Sequence, residues 1–194
     1  MNFVLIDNFD SFTYNLRDLI ISTAPKGTRV TVLRSDQSLH EIDKLQPQAL
    51  FISPGPGRPH KDSLSYQALN KYYKQLPIFG VCLGMQYINE FFGGKTQLSP
   101  LPLHGKTSDL NHDNSLLFSN IPSPFQVARY HSLAIVPAKE IRVTASVDDI
   151  PMALQHRKWP VYAVQFHPES FLSEYGPEIL KNFYKISDLE ERAL

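Results

Sequence analysis

Pro77-Ile-Phe-Gly-Val-Cys-Leu-Gly-Met-Gln-Tyr-Ile-Asn-Glu-Phe-Phe-Gly-Gly94 is the stretch on which the fold turns. Pro77 to Val81 has the make-up of a short buried strand, apolar and β-branched at two positions. Leu83 to Phe92 reads as a helix with Leu83, Tyr87, Ile88, Phe91 and Phe92 on one stripe, closed by Gly93-Gly94. Cys82, the one cysteine of the chain, stands between them in Gly80-Val-Cys-Leu-Gly84. This is the glycine–nucleophile–glycine pattern of a strand–elbow–helix turn, with a thiol in place of the serine hydroxyl. The flanking glycines predict a sharp turn that pushes the sulfur out of the sheet edge. The unpaired N–H groups of the following helix then favour thiolate over thiol. A lone cysteine is more often a small buried hydrophobe. The paired glycines at a strand-to-helix junction reverse that preference, and a nucleophile also needs a base elsewhere in the chain.

Working outward, Phe3 to Ile6 is a buried-strand run that ends in the loop Asp7-Asn-Phe-Asp-Ser11, where Ser11 is placed to cap a helix over about Phe12 to Ser22. Val30-Thr-Val-Leu33 and Ala49-Leu-Phe-Ile52 are further strands, separated by a polar linker. Ser53-Pro-Gly-Pro-Gly-Arg-Pro59 follows the second directly, and Ser63 to Gln75 has helical composition. This order predicts an α/β fold: an open, doubly wound, mainly parallel twisted sheet with helices on both faces. The second half adds strands at Gln126 to Arg129, Leu133 to Val136, Ile141 to Val147, Met152 to His156 and Val161 to Phe166. These form a smaller antiparallel portion, with Asp148-Asp149 as a turn. Glu178 to Ile186 reads as a closing helix and Asp188 to Leu194 as a charged tail. Gln97 to Ser123, rich in Pro, His and Asn, reads as a surface loop or docking surface. The whole of 1–194 is expected to form one domain.

Open parallel sheets bind ligands outside the carboxyl ends of their strands. Asp7-Asn8, the Ser53 to Pro59 loop and Cys82 should therefore lie along one edge. Of seven histidines, His167 stands out because it ends the buried run Val161 to Phe166 in Phe166-His-Pro-Glu-Ser170. Residues two apart in extended chain face the same way, so Glu169 is placed to hold the His167 imidazole. Pro168 stiffens the pair. Thiolate, imidazole and orienting carboxylate are the parts that cysteine acyl transfer requires. Ser53-Pro-Gly-Pro-Gly57 offers a rigid backbone donor: an N–H from Gly57, with that of Leu83 after the nucleophile, would make an oxyanion hole.

The bulk composition narrows the field. Nineteen basic and nineteen acidic residues give zero net charge with no block of one sign, against a nucleic-acid or anionic-membrane partner. A single cysteine rules out an internal disulfide. The first residues reach an acid too soon for a signal peptide or a membrane span, and the cytosol is the expected compartment. Lone-thiol chemistry without His-x-x-x-His or Cys-x-x-Cys spacing argues against zinc, and no Walker-type phosphate loop occurs. No cofactor is expected.

Five blocks, Asp7-Asn-Phe-Asp-Ser-Phe-Thr-Tyr-Asn15, Ser53-Pro-Gly-Pro-Gly57, Gly80-Val-Cys-Leu-Gly-Met-Gln86, Arg129-Tyr-His-Ser-Leu133 and Gln165-Phe-His-Pro-Glu-Ser170, together resemble a class I glutamine amidotransferase. More narrowly the chain is similar to the small subunits of anthranilate synthase and aminodeoxychorismate synthase. The resemblance implies a flavodoxin-like sheet and attack of Cys82 on the side-chain amide of L-glutamine, with His167 as acid/base and Glu169 orienting it. It also implies that Gly55 and Gly57 line the substrate loop and that Gln86 contacts glutamine. The Ser132 and Leu133 backbone would hold the α-amino and α-carboxylate groups. Ammonia would pass to a separate chorismate-binding synthase subunit, without which this subunit is weakly active. Met85 stands where these subunits often have histidine. His104-Gly-Lys-Thr-Ser108 and His156-Arg-Lys-Trp159 look more like the aminodeoxychorismate (folate) subunit than the tryptophan one. Two other readings compete: a stand-alone cysteine hydrolase acting on γ-glutamyl conjugates, and an inactive regulatory subunit.

Overall fold

The computed structural model describes residues 1–190, without the side chains of 101–104. Nine strands among the described residues form a sheet whose first five members are parallel. These are β1 (Asn2–Asp7), β2 (Arg29–Arg34), β3 (Ala49–Ile52), β4 (Ile78–Val81) and β9 (Val161–Val164). The remaining four, β5 (Lys95–His112), β6 (Phe125–Val136), β7 (Ile141–Val147) and β8 (Ile150–His156), extend it antiparallel in the order β2-β1-β3-β4-β9-β8-β7-β5-β6. The helices are α1 (Thr13–Thr23), α2 (Leu39–Leu45), α3 (Leu64–Tyr72), α4 (Leu83–Phe91) and α5 (Gly176–Ile186).

Period-two alternation on the parallel strands explains why helices cover both faces. Phe3 and Leu5 of β1, Phe51 of β3, and Phe79 and Val81 of β4 point to one side, where Leu16 and Ile20 of α1 and Ile179, Leu180 and Phe183 of α5 meet them. Val4 and Ile6, Leu50 and Ile52, and Ile78 point to the other, against Ile42 of α2, Leu69 of α3 and Ile88 of α4. The central parallel strands β3 and β4 and the middle of β1 are thus apolar and buried on both sides, while edge strand β2 is only partly covered.

Several elements differ from the sequence expectation. The polar linker between β2 and β3 contains α2, a seven-residue helix with Ile42 buried. Helix α1 starts at Thr13 with no side-chain cap from Ser11; Asp10 accepts the Phe12 N–H at 2.7 Å and Asp7 accepts the Thr13 hydroxyl at 2.7 Å. The stretch expected as a surface loop is mostly β5, and the two strands expected over 126–136 are the single strand β6 that pairs with it. Asp148 and Asp149, both left-handed (φ 46° and 64°), make the two-residue turn joining β7 to β8. Of the expected tail, Glu191 to Leu194 lie outside the described residues.

Strand order reverses at β1, whose two parallel neighbours are β2 and β3. A crevice opens outside the carboxyl ends at such a reversal. The loops after β1, β3, β4 and β9 all emerge on that edge.

Candidate active site

Strand β4 ends at Val81 and α4 begins at Leu83, so Cys82 occupies the elbow as the cap of α4, with φ 52° and ψ −103°. A non-glycine residue holds such a left-handed backbone only where its surroundings over-determine it, at a cost on the order of 1–3 kcal/mol. The surroundings do so here. A Cβ on Gly84 would collide with the Ile52 carbonyl oxygen of β3. That closeness lets the first turn of α4 press against the strand ends. The sequence expectation is therefore corrected in one respect: neither Gly80 nor Gly84 has positive φ, so the unusual backbone falls on the cysteine itself while the glycines permit close packing. The Leu83 and Gly84 N–H groups lie in the first turn of the helix, where N–H groups have no intrahelical acceptor.

His167 arrives from the carboxyl end of β9. Its Nδ1–H donates to Glu169 Oε1 at 2.7 Å, and the two side chains are 4% and 0% exposed. The imidazole and the Cys82 thiol line the same cleft. Burial alone pushes an imidazole's pKa down; the neighbouring Cys82 sulfur and the hydrogen-bonded Glu169 carboxylate favour the charged form, outweigh burial and raise His167 to about 10. Phe12 and Tyr130 set their rings edge-on to the imidazole, at 5.8 and 5.1 Å between centroids. They pack on each other at 5.5 Å and keep water from that side. Cys82, far from His167 and Glu169 in the sequence, is thus brought together with them in the fold.

The substrate loop stands opposite. Gly55 lies so close to β1's loop that a Cβ there would come within 2.5 Å of the Asn8 carbonyl oxygen. Gly57 has φ +79°. The loop is tied down by a buried network: Ser53 Oγ accepts from the Asn8 N–H at 2.8 Å, Asn8 Nδ2 donates to the Ser53 carbonyl at 3.0 Å, and Ser65 Oγ donates to Asn8 Oδ1 at 2.8 Å. On the third side, the β5–β6 ladder skips from Leu98/Leu133 to Leu103/His131, which leaves Ser132 outside the pairing register.

A cleft of about 450 Å³ joins these parts. Its walls include Gly55, Gly57, Cys82, Gln86, Ser132, Leu133 and His167. Of the residues expected at the site, Leu83 and Glu169 do not line this surface; Leu83 follows Cys82 at the start of α4 and Glu169 backs His167. Asp10, whose carboxyl is raised by burial, also lines the cleft.

Three features escaped sequence reasoning. Arg129, fully buried, donates from Nε to His131 Nε2 at 3.0 Å. A neutral His131 must then carry its proton on Nδ1, which donates to the Leu133 carbonyl at 2.8 Å. Burial lowers His131 to about 4. The second feature is the Phe12–Tyr130 clamp described above. Gln165, wholly buried, is the third: it donates from Nε2 to Cys82 Sγ at 3.4 Å and accepts from Gln86 Nε2 at 3.4 Å. Gln165 precedes His167 by two residues, so the period-two spacing that pairs His167 with Glu169 was also a pointer to Gln165. Among the described residues, no cluster of His, Cys, Asp and Glu could hold a metal ion, and no helix is long and apolar enough to cross a membrane.

An elbow cysteine, a carboxylate-backed histidine and a rigid glycine loop on a doubly wound sheet define the class of cysteine-dependent acyl-transfer folds. A family model for class-I glutamine amidotransferases matches residues 4–186, and the chain belongs to that family. Anthranilate synthase component 2 of Thermus thermophilus is 42% identical over 189 residues, covering 94% of this chain and 91% of that protein. The aminodeoxychorismate/anthranilate synthase component 2 of Bacillus subtilis is 40% identical over 185 residues, covering 93% and 94%. A multifunctional tryptophan biosynthesis protein of Phycomyces blakesleeanus is 45% identical, but the chain spans only 24% of its length. In two other multifunctional relatives the chain spans 52% and 32%. A solved structure described as a GMP synthase subunit from Thermoplasma acidophilum superposes with a TM-score of 0.82 at 25% identity, over 99% of this chain and 96% of that one.

Proposed function

We propose that the chain is the glutaminase subunit of a two-component synthase. It releases ammonia from L-glutamine through a Cys82 thioester and delivers it to a chorismate-binding partner. The observation that carries this reading is that Cys82 and His167 line one cleft with Gly55, Gly57 and Ser132, and that Glu169 backs His167 at 2.7 Å.

In this mechanism the Cys82 thiolate adds to the glutamine side-chain carbonyl carbon. The oxyanion formed is held by the N–H groups of Leu83 and Gly57; removing one such donor costs roughly 3–4 kcal/mol of transition-state stabilisation in comparable sites. His167, protonated at rest, gives its proton to the departing nitrogen as the C–N bond breaks. Neutral His167 then takes a proton from water attacking the γ-glutamyl thioester. The C–S bond breaks, glutamate leaves and the thiolate returns. Glu169 fixes the imidazole tautomer throughout. Gln86 and the Ser132–Leu133 backbone bind the amino-acid end, and the Arg129–His131 pair holds the Leu133 carbonyl in place.

The relatives named as component 2 of synthases support a partner subunit, and exposed Phe9 (51%) and Phe171 (93%), in the loops after β1 and β9, offer it apolar contact. Of the two aminated products, aminodeoxychorismate is the expected one. Its support is narrow. In His156-Arg-Lys-Trp159, the His156 Nδ1 accepts the Lys158 and Trp159 N–H groups at 3.0 Å each, which is a turn device and not a substrate contact. The His104 side chain lies outside the described residues. Anthranilate recurs in the names of the relatives, and one carries both products.

In the reconstituted pair, Cys82→Ala is expected to abolish glutamine-dependent amination while free ammonium still supports it. The aminated product, identified by mass, decides the pathway. Loss of both activities in a folded complex would sink the proposal. Glutamine turnover by the isolated chain at the full rate, indifferent to any synthase, would favour the stand-alone hydrolase instead.

A further inference from the structure

Gln165 has no part in the mechanism above, yet its amide reaches the reacting sulfur. It sits at the end of β9 with zero exposure, so no water competes for its polar atoms. Its oxygen receives the Gln86 N–H, which fixes the orientation of the amide and leaves its NH2 group for Cys82 Sγ. Gln86, itself 3% exposed, lines the cleft and has an Oε1 without a partner among the described residues. A chain of two amides therefore runs from the cleft wall to the sulfur, every N–H along it pointing towards the thiol. A neutral thiol is a weak acceptor, whereas a thiolate gains from each N–H aimed at it.

We propose that Gln165 is a catalytic residue of this site: its side-chain N–H stabilises the Cys82 sulfur as thiolate, both before attack and when the thioester collapses. In the attack the sulfur lone pair becomes the C–S bond to the substrate carbonyl carbon, and the hydrogen bond weakens as the charge leaves. When water's oxygen replaces sulfur on that carbon, the C–S bonding pair returns to sulfur and the N–H meets the charge again. His167 supplies the matching positive charge on another side, so the two groups act on one atom by different means. The inference rests on Cys82 being the nucleophile.

The test uses the full-length chain and iodoacetamide. With a single cysteine in the sequence, every adduct found by mass reports Cys82. Gln165→Leu keeps the volume and removes the donor. It is expected to displace the pH profile of alkylation upward by about one pH unit, the equivalent of one hydrogen bond to a charged group. Glutaminase kcat in the reconstituted pair should fall about tenfold by the same arithmetic, with KM near the parent's. Gln165→Glu, isosteric and without an N–H when ionised, should move the profile the same way, and it carries the test if the leucine variant does not fold. Alkylation profiles that superimpose on the parent's in folded variants would overturn the proposal. So would failure of both variants to fold, which would make Gln165 a structural residue. Failure of the underlying reading looks different: chains alkylated at Cys82 would still hydrolyse glutamine in the complex.

Discussion

His131 and His167 line the same cleft, and burial acts on both in the same direction, yet they end on opposite sides of an ordinary histidine. The partners decide. His167 faces a carboxylate and a thiol, both of which reward its charge, whereas His131 faces the Arg129 guanidinium, which cannot accept a proton and repels one. The consequences for stability have opposite signs. His167, raised to about 10, contributes stability that is whole below about pH 6.5 and is lost as pH climbs through its folded value. His131, lowered to about 4, contributes stability that is whole above about pH 6.5 and is lost as pH falls towards 4. In denaturant titrations His131→Asn should therefore show a shallower acid loss than the parent, by up to about 1.4 kcal/mol per pH unit. Equal acid slopes in the two proteins would remove the protonation argument. At this scale the grouping at the cleft was legible, because Cys82, His167 and Glu169 announce themselves by residue type and spacing. The tautomer of His131 was not, because it depends on an arginine whose direction only the folded strand β6 defines.

At the scale of elements, the cleft is held together less by any helix than by the Asn8–Ser53–Ser65 network, which links the loop after β1 to the loop after β3 and to the first turn of α3. The prolines at 54 and 56 stiffen the glycine loop, but the buried asparagine aims it. Asn8→Ala would leave Ser53 and Ser65 short of partners inside the protein, at a cost of roughly 1–3 kcal/mol. It should raise KM for glutamine more than it lowers thiol alkylation at Cys82, since the sulfur does not touch this network. A variant with unchanged KM would show that the loop is rigid without it. Strands β1, β3 and β4 were readable because each carries a continuous apolar run followed by its own turn or loop signal. Strand β5 was not. Its prolines at 100 and 102 speak against a strand, and they fall where the ladder skips from Leu98 to Leu103, so no ladder hydrogen bond is demanded of them. Its pairing with β6 is non-local and its composition polar. Helix α2 was hidden for a simpler reason: seven residues with a single fully buried side chain give no periodicity to count.

For the molecule as a whole, the sheet divides the labour. The parallel part delivers three loops to one edge, after β1, β3 and β4, and β9 adds His167 from the last parallel position. The antiparallel part delivers Ser132 and Leu133 from the far side. Neither part alone encloses a substrate, and the cleft exists where they meet. The backbone at position 82, at the heart of that meeting point, suits glycine better than any side chain, so the protein carries a penalty at the single place where chemistry demands sulfur. Trading the whole side chain for hydrogen should relieve that strain: Cys82→Gly is expected to exceed Cys82→Ala in melting temperature, although glycine ordinarily loses that comparison. The gap between two inert proteins would then measure what this fold forgoes in durability in order to react.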